Sequence, residues 1–439
     1  MKEGGGSGET GDVVGSEPTE SAPTTTADGR WRALALLSVA ELFAMSLWFS
    51  ASAVAPELAA RWGLSGAETA WLTTAVQLGF VAGALASAAF TLSDTVQPRI
   101  LFAASSVVGA AATVGVAAVD AFLPAVALRF LTGVALAGVY PPGMKVVAGW
   151  FRSGRGLAIG TLVGALTVGS ALPHLLRALG AVNGESTATA ATGVADPRLV
   201  LLGAAALALV GAGVALLVRP GPYQSPAAPF DPRAVGRILR DRPTMLANVG
   251  YFGHMWELYA VWTWLPVYLL ASAEATADPL ATPPVLALLA FGAIATGAVG
   301  AVAAGRLADR WGRTTVTSAS MVASGAACLG AGAAFGAPVL VLAPFVLGWG
   351  LVVVADSAQF SACVTELADG EYVGTALTLQ TAFGFLLTVV AIQSVPVVAG
   401  VVGWRFAFAP LAVGPAVGTA AMLRLRRRPE AVRLAGGRG

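Results

Sequence analysis

Six ionisable side chains interrupt otherwise apolar stretches of this 439-residue chain: Glu41, Arg129, Lys145, His254, Glu257 and Asp356. A charge at membrane depth is costly, so each marks a functional site by default. A carboxylate so placed can take up and release a proton, and a neighbouring lysine or arginine sets how readily it does so. Spacing groups these residues on helix faces. Glu41, Met45, Trp48 and Ser52 follow at i, i+4, i+7 and i+11, and Arg129, Gly133, Leu136 and Tyr140 repeat that interval. Trp48 and Tyr140 add aromatic surface for a solute. His254 and Glu257, at i and i+3, are close enough to hydrogen-bond. Lys145 stands out in a chain that otherwise uses arginine, with only Lys2 of its type. Lysine changes its protonation readily on burial and arginine does not, whereas a snorkelling lysine would need no such property. At 1.5 Å rise per residue, Glu41 lies about 12 Å and Lys145 about 9 Å from the inner surface. Glu41 thus matches Lys145 in depth better than it matches Arg129. An ion pair that only orders the bundle is the alternative role.

Helices must position these groups. The composition is 56% hydrophobic and 11% charged, far from the roughly 25% charge of soluble domains. Stretches of about 20 apolar residues read as membrane-crossing helices. Twelve are expected, over 33–56, 68–92, 100–119, 122–149, 154–179, 198–218, 244–270, 284–304, 314–335, 339–363, 371–396 and 404–423. Phe335-Gly336-Ala337-Pro338 divides a charge-free run too long for one crossing. Trp262 and Trp264 are expected in an interfacial aromatic belt. Residues 1–29, rich in Gly, Ser and Thr, read as a disordered tail without a signal-peptide core. Residues 220–242 form a proline-rich connection between halves at 30–219 and 243–428, and 429–439 form a closing tail. In the connection, Arg233, Arg237 and Arg240 share one face of a short helix at an anionic leaflet, unless the segment is a plain linker.

Positive charge sets the orientation. With both termini inside, 20 of the 26 Lys and Arg residues fall on the cytoplasmic side, and only Arg61, Arg177, Arg198 and Arg405 fall outside. A multi-pass protein of the plasma (inner) membrane is expected. The halves also echo one another. Arg32 and Pro56 correspond to Arg242 and Pro266, Asp94 to Asp309, and Gly160-Thr161 to Gly374-Thr375. Other classes are disfavoured. Cys328 and Cys363 stand alone in apolar runs, and no metal-ligand spacing, nucleotide loop or nucleophile elbow occurs. Neither an enzyme nor a cofactor nor a nucleic-acid partner is expected.

Between two charge-free stretches lies Gly305-Arg306-Leu307-Ala308-Asp309-Arg310-Trp311-Gly312-Arg313. It resembles the G-x-L-A-D-R-x-G-R loop of the major facilitator superfamily at every fixed position. Arg129-Phe130-Leu131-Thr132-Gly133 is similar to the family's R-x-x-x-G element, with Thr132 where Gln is common. The resemblance implies an all-α membrane protein whose twelve transmembrane helices form two six-helix bundles related by pseudo-two-fold symmetry, with spans one, four, seven and ten lining a central cavity. It also implies a gate: Gly305 permits close helix approach, and Asp309 pairs with Arg313 and faces the start of span five near Gly154-Arg155-Gly156. Asp94 and Arg99 are the residue of a degenerate first-half copy. The implied function is alternating-access transport of a small solute, coupled to protons, by a monomer in the lipid bilayer. Proton-driven efflux is the second reading, since Gly160, Gly164, Gly169 and Pro173 loosely resemble an antiporter element. A non-transporting receptor or scaffold is the third, against which the deep charges and complete gate argue.

Overall fold

A computed structural model describes residues 25–90, 92–151, 155–183, 196–223, 232–369 and 372–439. Among them there is no strand, and the helices form twelve spans. Span one covers 25–62, and span two is Gly66–Ala89. Span three is Pro98–Ala118; span four is Phe122–Leu136 continued by Tyr140–Trp150. Spans five and six are Arg155–Asn183 and Pro197–Leu216. Spans seven to nine are Arg242–Glu274, Pro283–Trp311 and Arg313–Ala334. Span ten is Val339–Val353 continued by Ser357–Leu367, span eleven is Val373–Val402 and span twelve is Trp404–Arg426. Ten of the spans are long and apolar enough to cross a membrane. The exceptions are span one, which is divided into short helices, and span seven, which is less apolar. They carry Glu41, Asn248, His254 and Glu257, all buried inside the protein rather than turned to lipid.

Three spans break near their midpoints, each beside one of the deep polar residues. Span one passes through a 3-10 turn at Met45–Leu47, and Trp48 and Phe49 separate it from Ser50–Ala53. Span four breaks at Ala137–Val139, just ahead of Tyr140-Pro141-Pro142. Proline lacks an N–H to donate, so it is accommodated in the first turn of the new helix. Span ten breaks at Val354–Asp356. Broken backbone is tolerated at membrane depth only where protein covers it or water fills a cavity.

Small residues let the helices of each half cross closely. A Cβ on Gly133 of span four would collide with the Val76 carbonyl of span two, and one on Gly79 with the Phe130 carbonyl. The second half repeats the device, with Gly350 of span ten against the Ala293 carbonyl and Gly300 of span eight against that of Leu351. The halves meet along spans five and eight, where the Cβ position of Gly164 lies 3.5 Å from the Ala298 Cβ. They meet again along spans two and eleven, where Gln393 donates to Thr74 Oγ1 at 3.3 Å.

The helices depart from the sequence-based spans mainly by running further, span eight to Trp311 through most of the loop motif and span eleven to Val402. Span one extends to Trp62, ending on Gly63 at a φ of +65°. Span five runs to Asn183, and Arg177 near its outer end is 5% exposed and paired with Glu57 rather than lying in an outer loop. Trp262 and Trp264 are 2% and 3% exposed, in the core and not in an interfacial belt. The reason is that span seven is enclosed on all sides: Trp262 meets Phe49 with centroids 5.7 Å apart, and the Trp264 indole N–H donates to the Ile392 carbonyl at 2.8 Å.

Candidate functional site

The deep polar residues lie on spans one, four, seven and ten, with Glu41 and Arg129 engaged inside the first half and His254, Glu257 and Asp356 inside the second. Glu41 lies within the helix that precedes the first break and is fully buried, and neither carboxyl oxygen has a hydrogen-bond partner. Its Oε2 stands 3.0 Å from where a Cβ on Gly143 would sit, so the absence of a side chain there makes room for it. Tyr140, half-buried, is near enough to interact electrostatically with Glu41.

Neither expected partner reaches that carboxyl. Arg129 is fully buried, but its guanidinium turns to the broken backbone of span one. Nε donates to the Leu72 carbonyl at 2.9 Å, and Nη1 to the Leu47 carbonyl at 2.9 Å and Ser50 Oγ at 3.1 Å. Nη2 donates to the Trp48 carbonyl. The break leaves carbonyls that no helical N–H can satisfy, and the arginine supplies the donors. Lys145 is half-buried and forms no hydrogen bond or ion pair with Glu41.

The second-half charges are partnered differently from the expected His254–Glu257 bond. His254 Nδ1 lies 2.9 Å from Asp356 Oδ1 at the break in span ten. Glu257 accepts from the Ser324 hydroxyl, and the Cys328 thiol donates to it at 3.9 Å. The indole N–H of Trp349 reaches Ser324 Oγ at 3.3 Å. One helical turn separates His254 from Glu257, yet their side chains diverge because spans ten and nine offer each a nearer partner.

Aromatic rings close the seam between these two polar clusters. Trp48 meets Phe80, Tyr259 and Phe385 at centroid separations of 5.1, 5.7 and 5.5 Å, and Phe49 meets Tyr259 at 6.1 Å. Each of these rings is under a tenth exposed, so the halves touch across the middle of the molecule. Charge-based reading missed a set of amides beside them. The Gln380 amide N–H donates to Asn248 Oδ1 at 3.0 Å, and Gln380 Oε1 accepts from Ser361 at 3.1 Å, linking spans eleven, seven and ten. Gln77 of span two is fully buried with neither amide atom bonded. An uncharged amide in an apolar helix is a weak signal, but its rarity in these spans made it available.

The loop motif joins spans eight and nine at Gly312, whose φ of +89° favours glycine and where a Cβ would strike the Arg438 carbonyl. Arg313 does not hydrogen-bond Asp309. It donates to both Glu366 oxygens at 2.8 and 2.6 Å and to Gln359 at 2.8 Å, because span ten brings that carboxylate alongside. Asp309 and Arg310 are exposed. No described atom comes within 4 Å of a Cβ position on Gly305, and the expected neighbour Gly154 lies outside the described residues, as do the side chains of Arg155 and Asp94. Arg99 donates to Gln97 at 3.3 Å. The closing segment forms a 3-10 helix, Pro429–Gly436, that buries Leu434 beneath the motif. There the Ala435 N–H donates to Glu366 at 3.0 Å, Arg438 to the Asp309 carbonyl and Thr314 to the Gly439 carbonyl at 2.6 Å. Arg428, bonded to Glu430 at 3.1 Å, holds that carboxyl below its usual range.

A sequence model described as Major Facilitator Superfamily matches residues 37–391. No curated protein sequence matches. Among solved structures, a D-xylose-proton symporter is similar with a TM-score of 0.72 and 14% identity, covering 92% of this chain and 99% of that one. The xylose transporter XylE from E. coli, in a partially occluded inward-open conformation, gives 0.68 and 13% over 90% and 99%. The nucleoside transporter NupG gives 0.67 and 13% over the same shares.

Proposed function

The chain belongs to the Major Facilitator Superfamily, and from that premise we propose that it moves a small solute across the plasma membrane by alternating access coupled to protons. It is a multi-pass transporter and not an enzyme. The observation that carries the coupling is Glu41, a buried carboxyl with both oxygens unbonded on a broken helix. The other deep carboxylates engage Ser324 or lie against His254. Rocking of the halves would change the surroundings of Glu41 without first breaking a bond to it, which suits a group that loads and unloads a proton. Tyr140 beside Glu41, and the Asn248–Gln380 pair in the second half, supply hydrogen-bonding atoms for a solute. That one of the similar folds is a proton symporter supports this reading. The face bearing the motif, the connection and the closing segment is then the cytoplasmic one, by its excess of arginine.

The test begins with a metabolite-uptake screen in proteoliposomes, with and without a proton gradient. Once a solute is found, Glu41→Gln should abolish gradient-driven accumulation while solute exchange continues. Accumulation at the wild-type level would remove Glu41 from the proton path.

A further inference from the structure

The connection between the halves, the turn from span ten to span eleven and the closing segment surround a cavity of about 300 Å³. Its walls bring together residues distant in sequence: Arg237 and Arg240 from the connection, Arg433 from the closing segment, Tyr372, and Thr244 at the start of span seven. Asp241 and Asp369 also line it, which leaves a surplus of one positive charge. Arg237 is held in place, donating to the Tyr372 hydroxyl at 2.9 Å with its guanidinium carbon 4.9 Å from the ring centroid. Asp241 is engaged as the cap of span seven, accepting from the Thr244 N–H at 3.2 Å. Glu430, three residues from Arg433, is bonded to Arg428 at 3.1 Å.

Thr244 is the independent observation. It is 1% exposed, and its hydroxyl has no hydrogen-bond partner although it lines a space large enough for a small ligand. Buried hydroxyls are normally bonded, so the site lacks an acceptor. Guanidinium groups present paired donors that match phosphate oxygens. We propose that this cavity binds a phosphate group, with Arg237, Arg240 and Arg433 supplying charge and Thr244 supplying a hydroxyl donor. The phosphate belongs either to an anionic phospholipid or to a soluble phosphate compound. Leu239 and Val432, 47% and 69% exposed beside two of the arginines, place apolar surface next to the site.

The test uses the full chain reconstituted in nanodiscs of phosphatidylcholine. Phosphatidylglycerol is titrated in and bound lipid is counted by native mass spectrometry; inorganic phosphate is titrated separately, read by the thermal unfolding midpoint. Wild type should retain phosphatidylglycerol, respond to inorganic phosphate, or both, and which it does identifies the source. Arg240→Gln with Arg433→Gln should weaken retention about tenfold or more, on the scale expected for two arginines near an anionic surface. Thr244→Val keeps every charge and should still lower retention measurably. It covers the case in which the double variant fails to fold. Arg426→Gln with Arg427→Gln, on the same face but outside the cavity, should bind as wild type. Equal losses in the two arginine pairs, or no binding of either probe to wild type, would overturn the proposal, as would Thr244→Val behaving as wild type.

Discussion

Arg129 and Glu41 are both buried charges, yet they do opposite things. Arg129 spends its donors on four acceptors across spans one and two, three of them backbone carbonyls. Lysine offers a point charge that cannot reach them all. Arg129→Lys should therefore cost stability on the order of 2–4 kcal/mol, since each bond to a charged group contributes about 1.5–3 kcal/mol. Thermal unfolding of the purified protein in detergent reads this directly, and an unchanged midpoint would contradict the stapling role. Glu41→Gln should melt close to wild type, because no bond to the carboxyl is lost. The two variants thus separate a residue that holds the fold from one that serves transport.

At the scale of helices, the crossings between spans two and four and between eight and ten depend on backbone contact. Gly350→Ala would push a methyl into the Ala293 carbonyl, whereas a Cβ on Gly213 of span six meets nothing within 4 Å. The first substitution should cost about 1–3 kcal/mol through overpacking, and Gly213→Ala should be neutral or slightly stabilising. Unfolding midpoints of the pair check the prediction, and equal midpoints would count against close packing. Much of this architecture was legible beforehand. Charge-free runs, turn residues and arginine placement marked the spans, because the bilayer imposes those patterns on any sequence that crosses it. Partner choice was not legible. Asp309 and Glu366 are equally plausible on paper as partners of Arg313, and only the approach of span ten decides between them. The same holds for His254, which lies beside Glu257 in sequence but against Asp356 in space. The buried setting of Trp262 and Trp264 was not legible either, since the helices that enclose span seven come from both halves of the chain.

Over the whole molecule, two similar halves touch through helix pairs and an aromatic layer, while the closing segment bridges spans eight, nine and ten of one half. Glu366 is the hub of that bridge, since it accepts from both Arg313 and Ala435. Glu366→Gln should loosen the segment and expose Cys363, which is fully buried one turn away on span ten. Labelling with a maleimide, read by mass, should rise several-fold at Cys363 while Cys328, bonded to Glu257, stays protected. Equal protection of both thiols would show that the segment holds without Glu366. The broken first span and the weak apolarity of span seven have consequences for biosynthesis. A chain inserted during translation presents its spans in order, so the second half begins with its poorest partitioner into lipid. Span one also brings the carbonyl of Trp48, which receives its donor only when Arg129 emerges on span four. An unpaired carbonyl is unfavourable in hydrocarbon, so the first helix is expected to be completed only by a residue synthesised three helices later.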